Sequence, residues 1–171
     1  GDAQSRALID AWHAAWSLPA GAAFSNAAWR EAKNGAIARL RSAGYAAASL
    51  QSSAAEIDAD SARASLAVEA ASGPLFRTGA MVIEGLQRQD DKSVRNLADF
   101  GPGSVATEGL LLDYQERLQR SGLFERATVS LDVDPARSQA ATVQVSLKEA
   151  PLQQATVGVG VSASTGARLT F

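Results

Sequence analysis

Between residues 105 and 149 the hydrophobic pattern switches once, from helical spacing to strict alternation, with a glycine at the join. Leu111, Tyr114 and Leu118 stand at i, i+3 and i+7, so residues 105–121 are expected to form an amphipathic helix. Gly122 follows and can take the left-handed conformation that closes a helix. Residues 125–133 then alternate, with Ala127, Val129, Leu131 and Val133 on one face and Arg126, Thr128, Ser130 and Asp132 on the other. After a turn at Asp134-Pro135, Val143, Val145 and Leu147 alternate with Gln144, Ser146 and Lys148. Two half-buried strands and a helix to cover them predict a small α+β domain of two layers.

The 171-residue chain has room for one domain or two small ones. Its 46% apolar content suffices for real cores, but much of that is alanine and only 6% of residues are aromatic, so each core is expected to be thin. A net charge of −2 with both signs intermixed argues against nucleic acid as a partner, which needs clustered Lys and Arg. The absence of cysteine excludes disulfides and thiolate metal sites. No signal peptide and no apolar run of transmembrane-helix length is present. Because it opens Gly1-Asp2 rather than with Met, the chain is expected to be a piece of a longer protein.

Upstream, residues 3–16 read as a helix with Ala7, Leu8, Ala11, Trp12, Ala15 and Trp16 on its apolar side, ended by Pro19 and Gly21. Ser25 or Asn26 can cap a second helix carrying Trp29, Ala36 and Leu40, which Gly44 terminates. Residues 46–57 and 64–68, joined by a polar turn at 58–61, read as a hairpin. Residues 75–86 then give a strand signal around Met81, Val82 and Ile83. Asp90 or Asp91 can cap a short helix with Val94, Leu97, Ala98 and Phe100 inward, and Gly101-Pro102-Gly103 breaks it.

The chain repeats. Leu40 and Leu118 are 78 positions apart, as are Gly44 and Gly122. A period of about eighty suits duplicated domains better than a solenoid. Both copies read helix, break, helix, glycine, strand, turn, strand; only the second also shows an opening strand. The tail breaks this scheme, since residues 156–162 alternate valine with glycine or serine. That pattern suits a membrane-barrel strand, and an ordinary edge strand fits it equally.

Catalytic chemistry finds little to work with. His13 is the only histidine, with Asp10 three residues before it on the same helical face, and it reads as a surface residue between two tryptophans. Gly158-x-Gly160 lacks the third glycine and following helix of a dinucleotide site. Glu125 and Asp132, seven apart, are expected on opposite strand faces and cannot pair as acid and base. Trp12, Trp16 and Trp29 sit at core spacing. No enzyme, catalytic residue, metal site or cofactor is expected.

A strand, two helices and a hairpin, repeated and then run into a glycine-alternating strand, resembles the POTRA domains of the Omp85 superfamily. Trp29-Arg-Glu-Ala-Lys33 with Leu40-Arg-Ser-Ala-Gly-Tyr45 resembles the second helix and its glycine-aromatic exit. Phe76-Arg-Thr-Gly79 with Val82-Ile-Glu-Gly85 resembles the linker and opening strand of the membrane-proximal domain. Leu118-Gln-Arg-Ser-Gly-Leu-Phe124 is similar to that domain's helix exit, and Val157-Gly-Val-Gly-Val-Ser-Ala-Ser-Thr-Gly166 to the first barrel strand and turn.

The resemblance implies two tandem β-α-α-β-β domains, each a three-stranded sheet covered by two helices. Residues 1–72 would be the first, lacking its opening strand; 73–75 a linker; 76–150 the complete membrane-proximal domain; and 151–171 the start of an outer-membrane β-barrel. It further implies a location at the periplasmic face of the Gram-negative outer membrane. The implied partners are an inner-membrane-anchored protein spanning the periplasm, unfolded outer-membrane protein clients, and the outer membrane itself through the barrel. In the family the first hairpin strand is an edge, so Glu125, Arg126, Thr128, Ser130 and Asp132 are the candidate partner-binding residues, by strand addition. The other reading of these side chains is a solvated sheet face. Gly73, Pro74 and Phe76 are the candidate interdomain linker. A proline at Thr128 is expected to delete an edge donor. Two other roles fit the same elements: a rigid spacer that orients a barrel, or part of a lipid conduit.

Overall fold

The computed structural model describes residues 2–151, 158–162 and 166–170. The second repeat is built on a three-stranded sheet. Strand β3 (Thr78–Glu84) is followed by α3 (Asp91–Asn96) and α4 (Glu108–Arg120), then β4 (Phe124–Leu131), a 3-10 turn (Pro135–Ala140) and β5 (Ala141–Glu149). The order is β3-β5-β4, with β3 parallel and β4 antiparallel to the central β5. Val143, Val145 and Leu147 of β5 are buried, and with Ala127, Phe124, Val94, Tyr114 and Leu118 they form one core. Gln144, Ser146 and Lys148 lie on the exposed face. Alternation thus becomes a half-buried sheet, and the helical stripe covers it.

Tyr114 anchors that core. It is fully buried, its ring meets Phe100 edge-on at 5.4 Å between centroids, and its hydroxyl donates to the Val94 carbonyl at 2.9 Å. Burial raises the phenol to about 12, so it stays a neutral donor. Asp90 caps α3 by accepting from the Ser93 N–H, which holds its carboxyl below the usual range. Helix α4 begins at Glu108 rather than at 105, because Thr107 caps it, accepting from the Leu110 N–H at 3.2 Å. Val105 and Ala106 instead pair with the chain entering β3: Ala106 N–H bonds the Phe76 carbonyl at 3.0 Å, and Val105 bridges Arg77. Buried Thr78 donates to the Gly101 carbonyl at 2.7 Å, pinning the Gly-Pro-Gly loop.

The carboxylate of Glu149, at the end of β5, ties down the loop after β3. Its Oε1 accepts from the N–H groups of Gln87, Arg88 and Gln89 at 2.8–2.9 Å, and its Oε2 pairs with Arg88 at 3.0 Å. The three backbone donors hold this carboxyl at about 2, below its ordinary 4.5. A depressed acid contributes stability above its unfolded pKa and loses it as pH falls through the folded one. The stability gap between wild type and Glu149→Gln is therefore expected to be full above pH 4.5 and to close between there and about pH 2. Denaturant titrations across that range measure it; a gap that ignores pH would remove this role for the carboxylate.

The first repeat has α1 (Asp2–Ala15), α2 (Asn26–Ser42) and an antiparallel hairpin, β1 (Ser49–Asp58) with β2 (Arg63–Ala71). Ser25 caps α2, accepting from Ala28 N–H at 3.1 Å. Its core is thin, as the alanine content predicts: Leu18, Trp29 and Ala32 are buried, with Trp16, Phe24, Leu66 and Val68 half-buried around them. Trp16 packs against Trp29 at 5.8 Å and against Trp12 at 5.9 Å. The side chains of Ala7 and Ala11 lie outside the described residues. Strand β1 is exposed along nearly its whole length, because α2 reaches little of it.

The two halves meet at Phe76, which is fully buried among Ala46, Ala47, Ala106, Ala141 and Leu131. Its N–H bonds the Gly44 carbonyl at 2.9 Å, so the exit of α2 is joined to the entry of β3. The expected strand over 75–86 is shorter, since residues 75–77 serve this junction. Beyond β5, β6 (Gly158–Ser162) pairs antiparallel with β7 (Gly166–Thr170). Thr156, Val157, the expected turn residues Ser164 and Thr165, and Phe171 lie outside the described residues. Among the described residues, no helix is long and apolar enough to cross a membrane.

Candidate functional site

Because β5 is central, β4 is an outer strand of its sheet. Asp132 N–H bonds the Thr142 carbonyl at 2.9 Å, and the register continues Ser130↔Gln144, Thr128↔Ser146 and Arg126↔Lys148. In an antiparallel ladder the residues alternate in the side to which their backbone groups point. The even-numbered residues therefore bond β5, while Ala127, Val129 and Leu131 turn their N–H and C=O groups outward. A proline at Thr128 would thus break the sheet's own β4–β5 ladder instead of deleting an edge donor, and the expectation attached to that substitution is corrected.

The side chains of Arg126, Thr128 and Ser130 are exposed on the face away from the helices. Glu125 joins them. By strict alternation it would share the Ala127 face, but a bulge between Phe124 and Arg126 shifts the register. Phe124 is buried and Glu125 pairs with Lys148 at 2.8 Å, which draws its carboxyl below the usual range. Asp132 pairs with Arg137 at 2.5 Å. These ion pairs use up charge that would otherwise face an incoming strand.

Two glutamines to which the sequence alone assigns no contact complete the edge. Gln115 Oε1 accepts from the outward Val129 N–H at 3.0 Å, and Gln119 Nε2 donates to the outward Ala127 carbonyl at 3.1 Å. Both come from α4, one turn apart, on the flank that faces β4. Beyond them the edge runs into a groove of about 730 Å³ between the two repeats. Ile37 and Leu50 line it from the first repeat and Leu111, Leu112, Val129 and Leu131 from the second. Leu112 and Leu50 are exposed there at 49% and 37%, large values for leucine.

The linker candidates divide. Gly73 and Pro74 lie between β2 and the junction, whereas Phe76 is a core residue. His13 and Asp10 are both exposed on α1. Among the described residues, no cluster of three or more His, Cys, Asp or Glu could hold a metal ion.

Two helices packed on one face of a sheet ordered β3-β5-β4, with the hairpin's first strand outermost, is the POTRA fold. Solved structures of that fold are similar along most of the chain. The POTRA3-5 region of BamA from Haemophilus influenzae matches with a TM-score of 0.60 at 20% identity, covering 86% of this chain and 56% of that one. BamA from Haemophilus ducreyi lacking POTRA domains 1-3 matches with a TM-score of 0.65 at 15% identity, covering 98% and 31%. This chain thus corresponds to about half, and about a third, of those structures' length. No protein-family model and no curated protein sequence matches it.

Proposed function

We propose that this chain is the periplasmic POTRA region of an outer-membrane assembly or translocation protein. Its parent is most like the outer-membrane subunit of the translocation and assembly module (TamA). Residues 1–72 and 76–150 are its two domains, 73–75 the linker, and 151–171 the beginning of the barrel. Partner or client segments add as a further strand along β4, and the barrel receives them for outer-membrane protein or autotransporter insertion. The partners are a TamB-like protein anchored in the inner membrane and unfolded outer-membrane clients. One observation carries the reading: β4 is outermost, with the Leu131 backbone groups turned outward beside an apolar groove. Backbone bonds would supply affinity and the groove selectivity.

The test places a photo-crosslinking residue at Ser130 in the full-length protein in cells, with Gln144 of the central strand as a second probe. Capture of an extended periplasmic protein at Ser130 is the expected result. Silence at both positions would favour a spacer role, in which the junction at Phe76 matters and the edge does not.

A second reading makes the parent the central subunit of the barrel-assembly machine, and both similar structures above being BamA fragments favours it. A two-partner secretion transporter is a further member of the same class. The number of POTRA copies preceding this pair separates the three.

A further inference from the structure

We infer that Gln115 and Gln119 set where on β4 a partner strand can pair. They hold the middle of the edge closed and leave the Leu131 end, beside the interdomain groove, as the point of entry. This rests on the strand-addition reading above and specifies its register and the character of its ligand.

The two glutamines imitate backbone. In a parallel ladder, the residue lying opposite Thr128 would accept from the Val129 N–H and donate to the Ala127 carbonyl. Gln115 Oε1 and Gln119 Nε2 make those same two bonds at 3.0 and 3.1 Å. Two side-chain amides therefore fill the place of one residue of an added strand. An incoming segment of either polarity must break both bonds before it can pair at 127–129. Covering an edge from its own helix is also how a sheet avoids pairing with other copies of itself.

Nothing comparable protects the next outward residue. Among the described residues, no side chain bonds the N–H or C=O of Leu131, and the groove opens there. Side chains of a strand added at this point alternate between two environments. Those on the helix side meet Ile37, Leu111 and Leu112; those on the other side lie next to Ser130 and the Asp132–Arg137 pair. The matching ligand is an extended segment alternating apolar with polar residues. A helix would fill the groove but could not bond the Leu131 backbone.

The probe is a short synthetic peptide alternating valine and threonine, added to the full-length protein and followed by residue-resolved amide exchange. In wild type the peptide should slow exchange at Leu131 and leave Val129, already bonded, unchanged. In the Gln115→Ala/Gln119→Ala double variant, peptide protection should extend to Val129 and Ala127. Affinity should rise about tenfold, since two modest hydrogen bonds no longer have to be broken. Gln119→Ala alone, at an exposed position, should give part of that gain and serves if the double variant does not fold. Equal affinity and identical protected amides in wild type and variants would overturn the register inference while leaving strand addition standing. No protection of any β4 amide in either protein would overturn both.

Discussion

Phe76→Ala is expected to cost about 3–5 kcal/mol, the range for truncating a large buried aromatic. The upper part of that range applies because the neighbours cannot relax into the space. Ala46, Ala47, Ala106 and Ala141 have no rotamers with which to fill a cavity, and Leu131 is fixed in β4. The backbone around the site is committed as well: Phe76 donates to Gly44 and accepts from Ala106, joining three segments of chain. The loss should therefore appear as more than a lower denaturation midpoint. Ala46 and Ala47 belong to the first repeat, so the variant should loosen the angle between repeats, and with it the groove beside β4. Urea titration measures the stability, and small-angle scattering of the folded variant measures the angle. Phe76→Leu, which keeps part of the volume, should fall between the two. A loss below about 0.5 kcal/mol, the level of a surface change, would show that the junction is held by its backbone bonds instead.

The structure and the sequence agree wherever the determining signal is local. Alternation over 126–131 and 143–147, the spacing of Leu111, Tyr114 and Leu118, and the caps at Ser25 and Asp90 each act within a few residues, so they can be read without knowing what lies across the domain. The expected strand over 125–133 keeps its pattern only over 126–131, since β4 ends at Leu131 and Val133 is exposed. Even the outermost position of β4 follows from family resemblance plus a hairpin. Other features depend on distant residues. Val105 and Ala106 carry helical periodicity, yet they pair with residues 76 and 77, about thirty positions upstream, and α4 starts later for that reason. The bulge at Glu125 does leave a local mark, two consecutive polar residues between Phe124 and Ala127, but a doublet of that kind at a strand end reads equally well as the strand's start.

Gln115 and Gln119 are the instructive omission. They stand four apart, so they share a helix flank, and they are the polar neighbours of the buried Tyr114 and Leu118. That much was readable. What could not be read is that the flank faces an open strand edge, since only the packing of α4 on β4 brings the amides to within 3.0–3.1 Å of it. Surface glutamine on a helix ordinarily signals nothing more than solvent.

Gly85→Ala should rival Phe76→Ala in cost, through geometry instead of volume. Gly85 has φ +91, and a Cβ there would lie 1.9 Å from the Leu147 carbonyl oxygen and 3.0 Å from its carbon. The obstacle is backbone of the central strand, which cannot swing aside as a flexible side chain could. Two terms add: about 1–2 kcal/mol for holding a non-glycine residue in the left-handed region, and about 1–3 kcal/mol for overpacking. The sum, about 2–5 kcal/mol, should fall on the end of the β3–β5 ladder, next to the paired Glu84 and Ser146. Gly122→Ala provides the control. Gly122 also has a positive φ, +72, but a Cβ there would meet nothing within 4 Å, so only the conformational term applies. Equilibrium denaturation of the two variants should therefore rank Gly85→Ala well below Gly122→Ala in stability. The difference between them isolates the close approach of β3 to β5. Equal losses would mean that the ladder end yields easily, and that β3 is held by the Glu149 anchor on the loop behind it.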